Sequence, residues 1–220
     1  MTTIQHTKNA AAPRRVLYEL LLVMAISVLL PLLVPGTELI AILIPVAYLL
    51  IEGRLRHQPI VTLGFNWRGI PAGLMATWPL ILLVSVGIQI AVPLLGAALW
   101  PDLLTHILAR LPQMPAGQIS ILFLLLILST LGEEVVYRGF FQQRLGLFTG
   151  TTIAILLSSL VFGFAHWSQG SLALAAVDVG LVVVDSILYG LIFARSRNLY
   201  VAWLAHLLAD WVGLMMLLLM

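Results

Sequence analysis

The sequence predicts an all-α fold, a polytopic transmembrane helical bundle of about seven to eight spans. Of the 220 residues, 61% are hydrophobic and only 9% are charged, and the mean hydropathy is +1.09. Soluble domains carry about 25% charged residues, whereas one bilayer crossing takes about 20 apolar helical residues. The composition therefore excludes a water-soluble globular domain and a disordered chain. Because the chain has no cysteine, disulfide frameworks and zinc–thiolate sites are excluded as well.

Seven apolar runs, separated by short polar breaks, account for the predicted spans. The second run is short for a crossing and contains Pro45, whereas the third is longer than one crossing needs. We expect the third run to tilt, to kink, or to continue as an interfacial helix through the amphipathic stretch from Asp102 to Leu111. The runs cover residues 16–34, 39–51, 70–100, 119–131, 153–164, 172–193 and 201–220.

The chain is predicted to be a single integral membrane domain, residues 1–220, because it has no internal repeat and no long linker. Residues 1–15 are expected to be a cytoplasmic N-terminal tail. If seven spans alternate from there, ten of the eleven Lys and Arg residues face the cytoplasm, as the positive-inside rule requires. We expect a bacterial or archaeal plasma membrane protein. The net charge of +2 gives no indication of a nucleic acid partner, and the sequence does not indicate an oligomeric state.

Few ionisable residues interrupt the apolar runs, and a charge at the bilayer centre costs about 2.5 to 3.5 kcal/mol. Glu133, Glu134 and Arg138 follow the fourth run. Glu134 and Arg138 are four residues apart, so on a helix they share a face and can pair, while Glu133 points about 100° away. The cluster is either a helix end whose charges are simply solvated or a functional site. In a functional site, one carboxylate is neutralised and the other is available for chemistry.

Two further pairs have the same helical spacing. Phe162 and His166 end the fifth run, and His206 and Asp210 lie in the last one, where the carboxylate can hold the tautomer of the imidazole. A single histidine at such a position is more often interfacial than catalytic. Together, however, the ionisable residues of three separate apolar helices predict that these helices converge on a conical or water-filled cavity, which we expect to open towards the cytoplasm.

The depth of these residues presents a difficulty. Under strict alternation of spans, Glu133 and His206 lie near the cytoplasmic ends of their helices, whereas His166 lies near the external end of its own. One solution is that the fourth helix continues through residues 140–148, which places Glu133 deeper. The alternative is that this segment folds back into the membrane, where irregular backbone must be covered by protein or water.

These residues resemble the signature of the CPBP family, the CAAX protease and bacteriocin-processing family, also called Abi. That family is defined by E-E-x-x-x-R, then F-x-x-x-H, then H-x-x-x-N or H-x-x-x-D. The three patterns stand here in that order, at residues 133–138, 162–166 and 206–210. The motif-bearing core covers about residues 119–220. The N-terminal half is similar only in being hydrophobic, so it says nothing about the substrate.

The resemblance implies a role for each motif residue. Glu133 and His166 would activate the water molecule that attacks a peptide carbonyl. His206 and Asp210 would stabilise the oxyanion, although an ionised Asp210 would repel it where an asparagine would donate a hydrogen bond. A second mechanism stays open, in which Glu133, His166 and His206 hold a divalent metal such as zinc. The supporting residues are Glu134, Arg138 and Phe162.

The leading hypothesis is an intramembrane endopeptidase that cleaves a membrane-associated protein or peptide in the lipid bilayer. A proton-coupled transporter is one alternative, but the repeats that are typical of transporters are missing. A non-catalytic membrane scaffold or immunity protein is the other. Asp178 and Asp185 can line the cavity or relay protons, and the pattern favours their facing polar partners within the bundle.

Overall fold

The fold is described by a computed structural model for residues 13–34, 36–57, 59–109 and 119–220. Within these ranges the chain forms eight continuous helices, two short 3₁₀ turns and no strand, which confirms the all-helical prediction. The greater part of the predicted N-terminal tail lies outside these ranges. The helices are α1 (Pro13–Leu33), α2 (Glu38–Leu55), α3 (Ile70–Leu82, Leu83–Ile88 and Gln89–Leu99), α4 (Pro101–Ala109), α5 (Ile119–Glu134, Val135–Gln142 and Gln143–Thr149), α6 (Thr151–Ala165), α7 (Leu172–Ser196) and α8 (Leu199–Leu218).

Four helical stretches in the described ranges are long and apolar enough to cross a membrane. The helix Thr151–Ala165 is apolar but shorter. The total of seven to eight spans stays a prediction. The four long stretches are Trp67–Leu99, Ser120–Thr149, Leu172–Ser196 and Leu199–Leu218.

The third apolar run forms one helix, α3, that is longer than a single crossing, as its length predicts. Its middle segment, Leu83–Ile88, is π-helical. Trp100 ends the helix, and α4 begins directly after it at Pro101. Proline suits the first position of a helix because its φ is already helical and it has no N–H to leave unpaired. Helix α4 is the predicted amphipathic continuation; residues 110 and 111 lie outside the described ranges.

Helix α5 continues well beyond the fourth apolar run, which resolves the difficulty of depth. It passes through a π-helical segment, Val135–Gln142, and reaches Thr149. Gly150 then turns the chain with a φ of 80°, a conformation that glycine adopts without steric cost. Glu133 and His166 lie at nearly equal distances along the chain from this turn. The two residues therefore lie at similar depth on antiparallel helices, and the fold-back alternative is not needed.

The apolar core of the described residues consists of two clusters that share Phe65. One packs α1 and α2 against the π-helical segment of α5, with Leu20, Leu49 and Phe140 fully or almost fully buried. The other joins α3, α7 and α8, with Val84 and Val201 at its centre. Because α5 also packs along α8, its glutamates face the helix that carries His206.

Helices α6 and α7 approach each other closely at Gly163. A Cβ atom at this position would lie 2.4 Å from Val183 Cγ2 and 3.1 Å from the carbonyl oxygen of Val179. Small residues allow membrane helices to pack at such short range. The contact therefore fixes the end of α6, where His166 is located, against α7.

One end of the bundle, which we name the arginine-rich end, gathers the turns between α2 and α3, between α5 and α6 and between α7 and α8. The backbone N–H of Leu199 donates to the carbonyl of Gly64 at 2.8 Å and joins two of these turns. Arg144 pairs with Glu52, so that α5 is held to α2 at the same end. In the predicted topology this end faces the cytoplasm.

Candidate active site

The buried ion pair between Glu134 and Arg138 is the centre of the site. Arg138 Nη1 lies 3.0 Å from Glu134 Oε1, and the two side chains are 1% and 0% exposed. Arg138 Nη2 donates to both the carbonyl oxygen and the hydroxyl of Ser186 on α7, each at 2.8 Å. The interpretation of this cluster as a solvated helix end is therefore wrong. Arg138 lies in the π-helical segment of α5, and such segments often mark functional sites.

His206 on α8 is held by Glu134. Its Nδ1 donates to Glu134 Oε1 at 2.9 Å, and the ring is almost fully buried. Asp210, which the sequence suggests for this task, lies instead 3.7 Å from the other ring nitrogen, Nε2. The tautomer of His206 is thus set by the glutamate of α5, because a carboxylate accepts the Nδ1 proton.

Glu133 takes the exposed side of the same helical turn. Its carboxylate lies 3.7 Å from His206 Nε2, and the side chain is 19% exposed, whereas Glu134 is fully buried. Successive residues on a helix differ by about 100°, and the two glutamates accordingly face opposite nitrogens of His206, with Arg138 paired to Glu134. A separation of 3.7 Å is too long for a direct hydrogen bond but short enough for one water molecule to contact both groups.

His166 is the first residue after α6, and the F-x-x-x-H spacing explains its orientation. Its Nδ1 donates to the carbonyl oxygen of Phe162 at 2.8 Å. In a neutral ring Nε2 then carries the lone pair, because a carbonyl only accepts. The Phe162 ring lies 4.4 Å from the His166 ring and 5.8 Å from the His206 ring, measured between centroids. The Phe162 ring therefore lies next to both imidazoles.

Comparison with known proteins gives one match that agrees with this geometry. Residues 115–212 match the family model described as type II CAAX prenyl endopeptidase Rce1-like. This segment is an Rce1-like domain of the CPBP family. No curated protein and no solved structure matches the chain. The match implies a protease with a peptide substrate in a bilayer, and together with the apolar helices it identifies an integral membrane protein.

One turn of α7 packs against the candidate site from the opposite side. Ser186 binds Arg138, as described above, and the Tyr189 ring stacks on His206 at 4.4 Å between centroids. Asp185 accepts a hydrogen bond from Gln89 of α3 at 2.9 Å. Sequence reasoning missed Ser186 and Gln89. Ser186 lies next to Asp185, which the sequence marks as a buried acid, but serine is common in membrane helices and carries no signal of its own.

The two aspartates of α7 face polar partners, as the sequence favours. Asp185 binds Gln89, and Asp178 lies 3.6 Å from His106 Nε2 of α4. The same nitrogen lies 2.8 Å from the hydroxyl of Ser168, in the loop that follows His166. This arrangement differs from a catalytic triad, because the hydroxyl and the carboxylate approach one ring nitrogen instead of two.

A cavity of about 740 Å³ lies beside the motif residues of the Rce1-like domain. Both His166 and Asp210 line it, together with Gln89 of α3 and mostly apolar side chains of α5 and α8. The lining lies towards the end of the bundle opposite the arginine-rich end. In the predicted topology this end lies away from the cytoplasm, and the cytoplasmic opening that the sequence suggests stays a prediction.

A catalytic metal site needs three or more protein ligands that face one point. Among the described residues no group of three or more histidine, cysteine, aspartate or glutamate side chains is arranged to hold a metal ion. The three ligands suggested by the resemblance, Glu133, His166 and His206, are thus not assembled as a metal centre.

Proposed function

We propose that the protein is an intramembrane endopeptidase that hydrolyses a peptide bond in a membrane-associated protein or peptide. The observation that carries this proposal is that the two adjacent glutamates make different contacts. Glu134 is paired with both Arg138 and His206, whereas Glu133 lies near His206 with its carboxylate partly exposed. A carboxylate in such a position can take a proton from water and return it later, as a general base and then a general acid.

The reaction proceeds in two steps. Glu133 removes a proton from a water molecule, and the hydroxide attacks the carbonyl carbon of the substrate to form a tetrahedral intermediate. His166, whose Nδ1 is tied to Phe162, uses Nε2 to orient the same water. The intermediate then collapses as the C–N bond breaks, and Glu133 delivers its proton to the leaving nitrogen. The products are a new carboxylate and a new amine.

His206 stabilises the oxyanion in this scheme. With both nitrogens protonated, Nδ1–H stays on Glu134 while Nε2–H faces the region between Glu133 and Asp210, each 3.7 Å away. The two glutamates beside the ring compensate its positive charge. A donor preorganised in this way contributes most to catalysis because it needs no rearrangement as the charge develops.

The surroundings of the cavity support a membrane-held substrate. Its lining is largely apolar and lies within helices of membrane-spanning length, which favours a polypeptide that is held in the bilayer. The matched family is named for CAAX prenyl endopeptidases, so a prenylated C-terminus is the first substrate to test. The transporter and scaffold alternatives have no specific observation in their favour.

Incorporation of solvent oxygen provides the test. The protein is reconstituted in liposomes with a peptide that ends in a prenylated CAAX sequence, in H₂¹⁸O. We expect one ¹⁸O atom in the carboxyl group of the new C-terminus, detected by mass spectrometry. A second arm uses the unprenylated peptide, and a third uses membranes of cells that lack the protein. The second arm shows whether cleavage requires the prenyl group. The third arm measures proteolysis that does not depend on this protein.

The matched variants are Glu133→Gln and Glu19→Gln. Both remove one carboxylate from an apolar helix, but Glu19 belongs to the arginine-rich end, where it accepts from Tyr48 at 2.5 Å. Glu133→Gln should abolish the labelled product, and Glu19→Gln should retain it. Equal label in wild type and Glu133→Gln, or no label in any arm, would contradict the proposed function.

A further inference from the structure

Gln89 belongs to the part of the chain that the family match does not cover. It is the first residue after the π-helical segment of α3, and residues 115–212 of the matched domain begin well beyond it. Nevertheless it borders the same cavity as His166 and Asp210. Ser85, within the π-helical segment, donates to the carbonyl of Ala205 at 2.8 Å and fixes this part of α3 next to His206. Helix α3 therefore contributes a rigidly held polar side chain to the site.

The orientation of the Gln89 amide is determined by its two acceptors. Nε2 donates to Asp185 Oδ2 at 2.9 Å and to the carbonyl oxygen of Val84 at 3.2 Å. A carbonyl only accepts, so nitrogen and oxygen cannot be exchanged here. Both N–H groups of the amide are thereby used. The remaining function of the side chain is the acceptor Oε1, for which the described residues provide no donor.

Oε1 faces α8 at Gly213, another residue of the cavity lining. A Cβ atom at Gly213 would lie only 2.9 Å from Oε1, so the missing side chain leaves room for this oxygen. The other polar residues of the lining are already engaged. Ser129 donates to its own helix at Leu126, and the Ser168 hydroxyl contacts His106, while His166 and Asp210 take part in the proposed chemistry.

We propose that Gln89 Oε1 binds a backbone N–H of the peptide substrate and that Asp185 is the positioning residue that aims it. The inference rests on the proposed function and adds a substrate-binding residue to it. A peptide that enters a largely apolar cavity leaves amide groups that must be hydrogen-bonded, because an unpaired buried amide is costly. The amide oxygen of Gln89 can accept such a hydrogen bond without further ordering of the side chain, because both N–H groups of the same amide are already fixed.

Binding is measured separately from turnover, in the Glu133→Ala background. The probes are fluorescein-labelled prenylated CAAX peptides in which one backbone amide at a time is replaced by an ester, which removes the N–H. One ester should bind about fivefold to tenfold more weakly than the parent peptide, as expected for one neutral hydrogen bond. When Gln89→Met is added, the affinity for the parent peptide should fall by a similar factor. The affinity for that ester should not fall further.

Two additional variants distinguish positioning from folding. Gly213→Ala should push Oε1 aside and weaken binding, with no additional loss when combined with Gln89→Met, because the two changes act on one interaction. Asp185→Leu should raise KM and leave kcat nearly unchanged, whereas Asp185→Asn, which keeps an acceptor for Gln89, should restore KM. Thr105→Ala is the control for the loss of a hydroxyl outside the cavity, because Thr105 donates only to its own helix at Pro101, and it should bind the peptide as wild type does.

The outcomes separate the inference from the proposed function. If wild type cleaves and Gln89→Met shows unchanged KM, the inference fails and the function stands. If binding depends on Gln89 but no peptide is cleaved, the inference stands and the function fails. Equal binding of all esters, or no binding of any probe by the parent, overturns the inference.

Discussion

Glu134 uses a single carboxylate oxygen to hold His206 and Arg138. Oε1 accepts from His206 Nδ1 at 2.9 Å and lies 3.0 Å from Arg138 Nη1. The imidazole on α8 and the guanidinium on α5 are consequently fixed relative to each other by one atom. The adjacent Glu133 is free of this structural task. The E-E-x-x-x-R spacing thus places a structural and a reactive carboxylate side by side.

The first prediction concerns the different consequences of losing each glutamate. Glu134→Ala leaves Arg138 buried without its counter-charge, and breaking such a pair costs about 3 to 5 kcal/mol of folding free energy. We therefore expect Glu134→Ala to lower the melting temperature strongly in detergent. Glu133→Ala should abolish peptide cleavage with little change in stability. Glu134→Gln, which keeps an acceptor for His206, should fall between wild type and Glu134→Ala. Similar melting temperatures for Glu133→Ala and Glu134→Ala would contradict the assignment.

The second prediction concerns the close contact of α6 with α7. Gly163→Ala would place a methyl group 2.4 Å from Val183 Cγ2, and overpacking of this kind costs about 1 to 3 kcal/mol. Because His166 follows three residues later, cleavage should decrease together with stability. Gly180→Ala is the matched control on α7, since nothing lies within 4 Å of its added methyl group. The double variant Gly163→Ala, Val183→Ala should recover part of both losses. No recovery would show that the contact does not position His166.

Most of the fold and part of the site can be predicted from the sequence, because some features depend on local spacing and others on helix packing. Hydropathy identifies apolar helices directly, because lipid leaves the backbone few other options. The four-residue spacing of Glu134 and Arg138 predicted their pair, since such contacts are local. The contact of Glu134 with His206 is not local: it depends on the packing of α5 against α8, and helical spacing pointed to Asp210 instead. Gln89 lies in the N-terminal half of the chain, whose sequence carries no motif. Its side chain reaches the site because of the π-helical segment that precedes it, which the sequence does not predict.

The third prediction concerns the loop that follows His166. Ser168 contacts His106 Nε2 at 2.8 Å, so α4 holds this loop in place. His106→Leu removes the contact, and we expect a slower kcat with a smaller change in KM, because the position of His166 is affected more than substrate binding. Ser168→Ala should have the same effect to a smaller degree. The exposed Thr105 of the same helix, as Thr105→Ala, serves as the control. A His106→Leu enzyme with wild-type kcat would contradict the role of this contact.

The fourth prediction is independence from added metal. The described side chains offer no group of three metal ligands, so dialysis of the reconstituted protein against EDTA, followed by 1,10-phenanthroline, should leave the cleavage rate unchanged. The final preparation is analysed for bound metal by mass spectrometry. Loss of activity that returns only when zinc is added would instead establish the metal-dependent mechanism, since metal binding requires assembled ligands.

The last prediction concerns Asp210, where the chain carries an acid and the family pattern also allows an amide. The Asp210 side chain is 34% exposed and lies 3.7 Å from His206 Nε2, so it can reach the oxyanion that His206 is proposed to stabilise. An ionised carboxylate repels that charge, whereas an asparagine amide donates to it, and one oxyanion donor is worth about 10²–10³ in kcat. We expect Asp210→Asn to cleave at least as fast as wild type and Asp210→Leu to be slower than Asp210→Asn. Asp102→Asn, in the exposed first turn of α4, controls for the loss of one negative charge. A large loss in Asp210→Asn would indicate that the carboxylate itself is required, either for proton transfer or to compensate the charge on His206.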